Sequence, residues 1–120
     1  MPARVVVVHD DPLFIEQATT ALRDRGLTVA VFEDPMKALD ALETAQLIEL
    51  LITRVQFAPG KPNGISLALM ARTKRPGMKV LLVALPEFAR LAAGIGEFMP
   101  APINVPDLVV AAERLLQADG

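Results

Sequence analysis

The side chains best suited to chemistry follow two apolar runs of the sequence. His9, Asp10 and Asp11 come directly after four valines, and Arg54 ends a second apolar run. Carboxylates offer oxygen ligands for Mg²⁺, whereas a guanidinium brings a permanent positive charge and five N–H donors. Ser66 is the only serine and cysteine is absent, so no common hydrolase or transferase chemistry is supported. We therefore expect that the protein is not an enzyme.

Two of these residues have simple structural roles. Asp11 precedes Pro12, and a cap residue followed by proline is typical of a helix N-terminus, so we assign Asp11 to capping rather than to ligand binding. His9 has no second histidine and no cysteine with which to share a metal, so we interpret it as a polar residue at a strand end. Asp10 is left as a residual, weak candidate for binding a cation.

Short apolar runs alternate with segments of helical periodicity along the chain. This pattern predicts a parallel sheet covered by helices on both faces, in a single domain over residues 1–120. The predicted strands span residues 4–8, 28–32, 50–53, 80–84 and 97–99. Helices are expected between them, including a short fourth helix from Pro86 to about Ala93. Their predicted packing positions are Phe14, Ala18, Ala21, Leu22, Ala38, Leu39, Leu42, Ile65, Ala68, Leu69, Arg72, Leu108, Ala112, Leu115 and Leu116.

Charge and hydropathy exclude two classes of partner. The net charge is -2 and no run of lysine or arginine occurs, so we expect no binding to nucleic acid. The four-valine run is too short to cross a bilayer or to act as a signal sequence. We expect a soluble, cytoplasmic protein that does not bind membranes.

The loops at the predicted strand ends resemble those of response-regulator receiver domains. The resemblance rests on the glycine-containing loop over residues 59–64, on residues 74–80 and on residues 98–102, and it extends over residues 4–116. It implies a CheY-like, flavodoxin-like doubly wound (βα)5 fold with strand order 2-1-3-4-5, here with a shortened fourth helix. Functional side chains of such a sheet gather at the carboxyl ends of its strands.

The same resemblance implies which positions carry function, and most of them hold an unexpected residue. The acidic pair after the first strand corresponds to His9 and Asp10, and the phosphate-accepting aspartate corresponds to Arg54. The small hydroxyl residue corresponds to Ala84, and the lysine to Ala101. An arginine cannot form an acyl phosphate, and Mg²⁺ needs carboxylate oxygens. The resemblance therefore implies a degenerate pseudo-receiver without a cofactor, in which Mg²⁺ binding is weak or absent.

We expect the guanidinium of Arg54 to take the place of the metal by pairing with Asp10 or Asp11. A cation about 4 Å from a carboxylate gains about 4 kcal/mol at an effective dielectric of about 20, before desolvation is subtracted. Arginine and carboxylate favour a bidentate contact, so two parallel hydrogen bonds are predicted. An arginine turned to solvent is the alternative.

The segment between the fourth and fifth strands is short and apolar. It is expected to expose a patch formed by Leu85, Phe88, Leu91 and Ile95. The resemblance implies that residues 85–95 and the last helix form the face that binds a histidine kinase, an output domain or a second receiver, including a homodimer. It also places Phe98 at the switch-aromatic position, although a phenylalanine in a short strand is more often a core residue.

Three functions remain open from the sequence. The favoured one is a two-component receiver that acts independently of phosphorylation, as a protein-interaction or dimerisation module. The second is a conventional phosphorelay receiver that is phosphorylated on Asp10 or Asp11. The third is a small-ligand-binding domain, because the switch point of this fold is a natural pocket. The negative charge of residues 9–11 disfavours anionic cofactors there.

Overall fold

A computed structural model describes residues 4–44 and 47–117 of the chain. Its strands are β1 (Val5–Val8), β2 (Val29–Phe32), β3 (Leu50–Arg54), β4 (Lys79–Ala84) and β5 (Glu97–Pro100). They form one parallel sheet in the order β2-β1-β3-β4-β5. The doubly wound fold and its strand order are therefore confirmed, and the predicted strand limits are correct to within one residue.

Helices connect successive strands and cover both faces of the sheet. They are α1 (Pro12–Asp24), α2 (Pro35–Thr44), α3 (Gly64–Lys74), α4 (Ala89–Ala92) and α5 (Val105–Gln117), and a single 3-10 turn (Pro86–Phe88) precedes α4. The fourth helix is thus short, as predicted, and its first turn is tighter than an α-helix. None of the helices in the described ranges combines the length and the apolar character needed to cross a membrane.

Local sequence signals explain where the helices begin and end. The Asp34 carboxylate accepts a hydrogen bond from the Met36 backbone N–H at 2.9 Å, which satisfies one free donor at the start of α2. The Asn63 side chain does the same for Ser66 at the start of α3, at 2.8 Å. Gly26 ends α1 with a φ of 81°, a left-handed conformation that favours glycine.

The hydrophobic core lies on both faces of the sheet. On one face, β-strand side chains including Val6, Leu51 and Leu82 pack with α2 and α3. On the other, β-strand side chains including Val7 and Ile52 pack with α1 and α5. Both faces of the central strands are therefore buried, which explains why β1 is a run of valines rather than an alternating sequence.

The side of α3 that faces the core differs from the prediction. Gly64, Leu67, Ala68 and Ala71 are buried, whereas Leu69 is exposed. Of the four positions predicted from the sequence only Ala68 is buried, and Ile65 and Arg72 are half-buried. Apolar residues occur all around this helix, so periodicity could not select its inner face; the prediction for Leu69 was therefore wrong.

Candidate functional site

The carboxyl ends of the central strands bring the candidate residues together. The His9 backbone N–H donates to the Phe32 carbonyl at 3.1 Å and so extends the pairing of β1 with β2. At the carboxyl ends of β4 and β5, the Ala101 backbone N–H donates to the Ala84 carbonyl at 2.7 Å. Arg54, at the end of β3, lies beside Val83 of β4 in the register of the sheet. The strand ends carrying residues 9, 54, 84 and 101 therefore share one edge.

Arg54 forms an ion pair with Asp10 at this edge. Its Nη1 donates a hydrogen bond to Asp10 Oδ1, and the two side chains are 40% and 38% exposed. The pair expected from the sequence is thus present, and Arg54 is not turned away from the acids. The hydrogen bond joins one guanidinium nitrogen to one carboxylate oxygen, so the predicted bidentate geometry is not observed.

Asp11 is occupied by the start of α1. Its Oδ1 accepts a hydrogen bond from the Leu13 backbone N–H at 3.1 Å, and its own backbone is extended, as an N-cap residue requires. Its backbone N–H donates to His9 Nδ1 at 3.1 Å. The capping role predicted from Asp11–Pro12 is confirmed. The two acids therefore have different partners, since Asp11 caps α1 whereas Asp10 pairs with Arg54.

His9 is a buried, neutral residue of this edge. It is only 8% exposed, and its ring stacks on Phe14 with a centroid distance of 4.1 Å and an interplanar angle of 23°. Burial first, and then the positive charge of Arg54, lowers the pKa of His9 from its ordinary 6.5 to about 4, and the charges of Asp10 and Asp11 oppose this shift. The imidazole is therefore uncharged near neutral pH.

The backbone of Arg54 is fixed by the loop that follows it. The Thr53 hydroxyl donates to the Arg54 carbonyl at 2.9 Å, and the Gly64 N–H donates to the Val55 carbonyl at 2.7 Å. A Cβ atom at Gly64 would lie only 1.8 Å from the Arg54 carbonyl oxygen, so the start of α3 approaches the strand end as closely as glycine allows. This contact was not predicted from the sequence, in which Gly64 at the end of the loop was its only signal.

A cavity of about 410 Å³ opens between these strand ends. Its apolar lining includes Phe14, Val83, Leu85, Phe88, Ile103 and Val105, together with the methyl groups of Ala84 and Ala101. Its polar lining consists of His9, Asp11, Gln17, Arg54 and Gln56. The cavity therefore has mainly apolar walls and a polar side at the end of β3.

Disrupting the ion pair is expected to change stability only slightly. Because both side chains are more than a third exposed, water and salt screen their attraction. We predict that Arg54→Gln and Asp10→Asn each lower the free energy of unfolding by less than about 1 kcal/mol, with a coupling energy of about 0.5 kcal/mol in the double variant. Urea unfolding of the four proteins measures both quantities.

The exposed pair between Arg25 and Glu113 is the control for this cycle. Its hydrogen bonds of 2.9 and 3.2 Å join the C-cap residue of α1 to α5. The coupling energy of the control pair is expected to be small. A coupling energy between Arg54 and Asp10 above about 2 kcal/mol would then contradict the claim that solvent screens their attraction.

Comparison with known proteins shows which folds and sequences the chain resembles. No protein-family model matches it. TcrX of Mycobacterium tuberculosis is 26% identical over an alignment that covers 99% of this chain and 52% of TcrX, so the chain spans about half the length of that relative. A receiver protein from Sinorhizobium medicae has the same fold, with a TM-score of 0.86, 22% identity and 98% and 96% coverage of the two chains.

A second solved structure combines a similar fold with higher sequence identity. The receiver domain of the hybrid histidine kinase CckA is 29% identical, with a TM-score of 0.79 and coverage of 95% of this chain and 99% of that domain. The chain has the CheY-like receiver-domain fold, and its sequence is similar to those of response-regulator receiver domains. The relatives that it resembles include a two-component response regulator of Arabidopsis thaliana, and the CckA domain is part of a hybrid histidine kinase.

The fold family of this receiver domain implies a bound Mg²⁺, and the residues present do not fit that ion. Mg²⁺ requires octahedral oxygen ligation. At this edge Asp10 is paired with the cation Arg54, and Asp11 caps a helix. Within the described ranges, no group of three or more histidine, cysteine, aspartate or glutamate side chains could hold a metal ion. The donor set at this edge is therefore too small for Mg²⁺, and Arg54 repels a divalent cation.

Two further regions of the receiver domain were predicted to matter. Phe98 is half-buried in β5 and packs against the core beneath α2 and α3, which agrees with a core residue. The apolar patch is present in part, because Leu85 is 52% and Leu91 is 61% exposed, whereas Phe88 and Ile95 are half-buried and pack against the core.

Proposed function

We propose that this receiver domain acts in two-component signalling without being phosphorylated, as a protein-interaction module. The observation that carries the proposal is the ion pair between Arg54 and Asp10 at the end of β3. Receiver domains place their phosphate-accepting aspartate at this strand end. A guanidinium has no oxygen nucleophile, so no acyl phosphate forms at residue 54.

The neighbouring residues support the same proposal. Ala84 and Ala101 present methyl groups, which neither donate a hydrogen bond to a phosphoryl oxygen nor neutralise its charge. Asp10 already accepts a hydrogen bond from Arg54, and Asp11 already accepts one from the α1 backbone. The two carboxylates are thus engaged in other contacts. They do not form a site that fits the Mg²⁺ ion needed to orient a phosphodonor.

The exposed apolar side chains indicate where a protein partner binds. Leu85 precedes the 3-10 turn, Leu91 is exposed on α4, and Val110 is exposed on α5. Such residues lose water-exposed apolar area when a partner covers them, which favours association. We propose this face, residues 85–95 with α5, for a histidine kinase, an output domain or a second receiver, the last of which includes a homodimer.

The proposal predicts that the protein gains no phosphoryl group. Incubation with acetyl phosphate and Mg²⁺ is expected to leave its intact mass unchanged, because residue 54 has no nucleophilic oxygen and the site does not fit the metal. A receiver domain with an aspartate at the corresponding position serves as the positive control in the same buffer. Intact-mass spectrometry of both proteins over a time course measures the outcome.

A stable added phosphoryl group on this chain would overturn the proposal. The variants Asp10→Asn and Asp11→Asn would then locate the acceptor, because loss of the added mass in one of them identifies the phosphorylated acid. That result would favour the conventional phosphorelay function instead.

A further inference from the structure

We propose that the strand-end cavity binds a small, mainly apolar molecule carrying one carbonyl or carboxylate oxygen, which accepts hydrogen bonds from Arg54. The inference goes beyond the proposed function and does not depend on it. Leu85, Phe88 and Val105 line the cavity and also belong to the face proposed for a partner protein, but the polar side of the site lies at the ends of β1 and β3, outside that face.

The size and walls of the cavity select an apolar molecule. Its volume of about 410 Å³ falls within the range of about 300–1,000 Å³ that is typical of small-molecule sites. Ten of its fifteen lining residues are apolar, and Phe14 and Phe88 offer aromatic surface. Ala84 and Ala101 contribute only methyl groups, so the space between the ends of β4 and β5 is open to a ligand. An apolar molecule there gains free energy from leaving water.

The polar side of the cavity selects a single oxygen acceptor. Arg54 lines the cavity, and its one hydrogen bond to Asp10 in the described structure uses one of its five N–H groups. The amides of Gln17 and Gln56 add further donors to the same lining. The remaining guanidinium donors are thus available to a carbonyl or carboxylate oxygen, with which arginine forms strong, charge-assisted hydrogen bonds.

The charges around the cavity exclude larger anions. His9 is buried and neutral, so it adds no second positive charge. Asp10 partly neutralises Arg54, and Asp11 is the one acid in the lining. A nucleotide or another multiply charged phosphate would therefore meet insufficient positive charge, whereas one neutral carbonyl or one carboxylate needs only the hydrogen-bond donors that Arg54 has left.

Three related probes test the proposal on the whole chain. They are 2-naphthoate, 2-acetylnaphthalene and 2-methylnaphthalene, which share a ring system and carry a carboxylate, a carbonyl or no oxygen. We expect saturable shifts of the backbone amide resonances of Leu85, Ala101 and Ile103 in two-dimensional NMR, with no shift at the remote Gly77. The two oxygenated probes should bind about tenfold more tightly than the methyl compound, and their relative affinities distinguish a carboxylate from a carbonyl ligand.

Variants of the lining provide the controls. Ala84→Leu and Ala101→Leu fill the cavity and should weaken binding of every probe at least about tenfold, whereas Ala89→Leu adds the same side chain at an exposed alanine outside the cavity and should bind normally. Arg54→Met removes every donor at residue 54 and should reduce the preference for oxygenated probes from about tenfold to about twofold, because only the amides of Gln17 and Gln56 remain as side-chain amide donors. Since Ala101 is half-buried, its variant remains informative if Ala84→Leu fails to fold.

Three results would overturn the proposal. These are the absence of saturable binding, shifts scattered over the surface, and cavity-filling variants that bind as tightly as the wild type. Retention of the full oxygen preference in Arg54→Met would overturn the assignment of Arg54. All measurements omit Mg²⁺ and phosphodonor, so they succeed or fail independently of the intact-mass experiment that tests the proposed function.

Discussion

Replacing Gly64 with alanine is expected to lower the free energy of unfolding by about 3 kcal/mol, at the upper end of the usual effect of overpacking. The added Cβ would lie 1.8 Å from the carbonyl oxygen of Arg54 and 2.8 Å from its carbonyl carbon. Both are backbone atoms, so no side-chain rotation can relieve the clash. Either the start of α3 or the end of β3 must move, and each carries several buried residues.

Gly77→Ala is the matched control for this prediction. Gly77 lies in the turn before β4, where a Cβ atom would meet nothing within 4 Å, so the change is expected to stay within about 0.5 kcal/mol. Urea unfolding of the two variants and the wild type measures the difference. Equal stabilities for Gly64→Ala and Gly77→Ala would show that the loop after β3 is not held against Arg54.

The same close approach has a consequence for the ion pair. If α3 is displaced in Gly64→Ala, the Arg54 backbone loses the contact that fixes it, and its side chain is expected to lose its alignment with Asp10. Backbone amide shifts at residues 10 and 54 should therefore change in this variant and not in Gly77→Ala. The geometry of the site thus depends on a glycine that makes no contact through a side chain.

Much of the fold was predictable because several signals agree. The valines of β1 are buried on both faces of the sheet, so their unbroken apolar run indicates a central parallel strand. The pairs Asp11–Pro12 and Asp34–Pro35 mark helix starts through local hydrogen bonding alone, without any tertiary contact. The strand order followed from the resemblance to receiver domains, because strand periodicity carries no information about which strands are neighbours.

Other features depend on tertiary contacts that no local pattern encodes. The inner face of α3 was assigned incorrectly at Leu69 because apolar residues surround that helix. The ion pair between Arg54 and Asp10 was predictable from strand ends that share one edge of the sheet. Its single hydrogen bond was not, because the hydrogen-bonding geometry depends on side-chain rotamers at an exposed site.

The burial of His9 was also missed, and it leads to the second large effect. His9 was expected to be an ordinary polar residue at a strand end, yet its ring stacks on Phe14 and its Nδ1 accepts a hydrogen bond from the Asp11 backbone. Sequence alone could not show this, because His9 follows β1 whereas Phe14 lies in the first turn of α1. The stacking requires the turn between them, which only the folded chain defines.

We predict that the imidazole of His9 titrates with a pKa of about 4, because burial and then the charge of Arg54 disfavour its protonated form. Its pKa in the unfolded chain is the ordinary 6.5, so between these values the unfolded state binds more protons than the folded state. The stability due to neutral His9, about 3 kcal/mol, is fully present above pH 6.5 and is lost as the pH falls through 6.5 to about 4.

Histidine occurs only once in the chain, so its NMR titration can be assigned without ambiguity. The free energy of unfolding, measured in urea at pH 7 and at pH 4.5, should fall by most of that amount in the wild type and much less in His9→Gln. Carboxylates that titrate near the lower pH are shared by both proteins, so the difference between the two slopes isolates His9. A titration near pH 6.5, or equal slopes, would mean that the ring is solvated and that the stack with Phe14 does not hold the imidazole away from water.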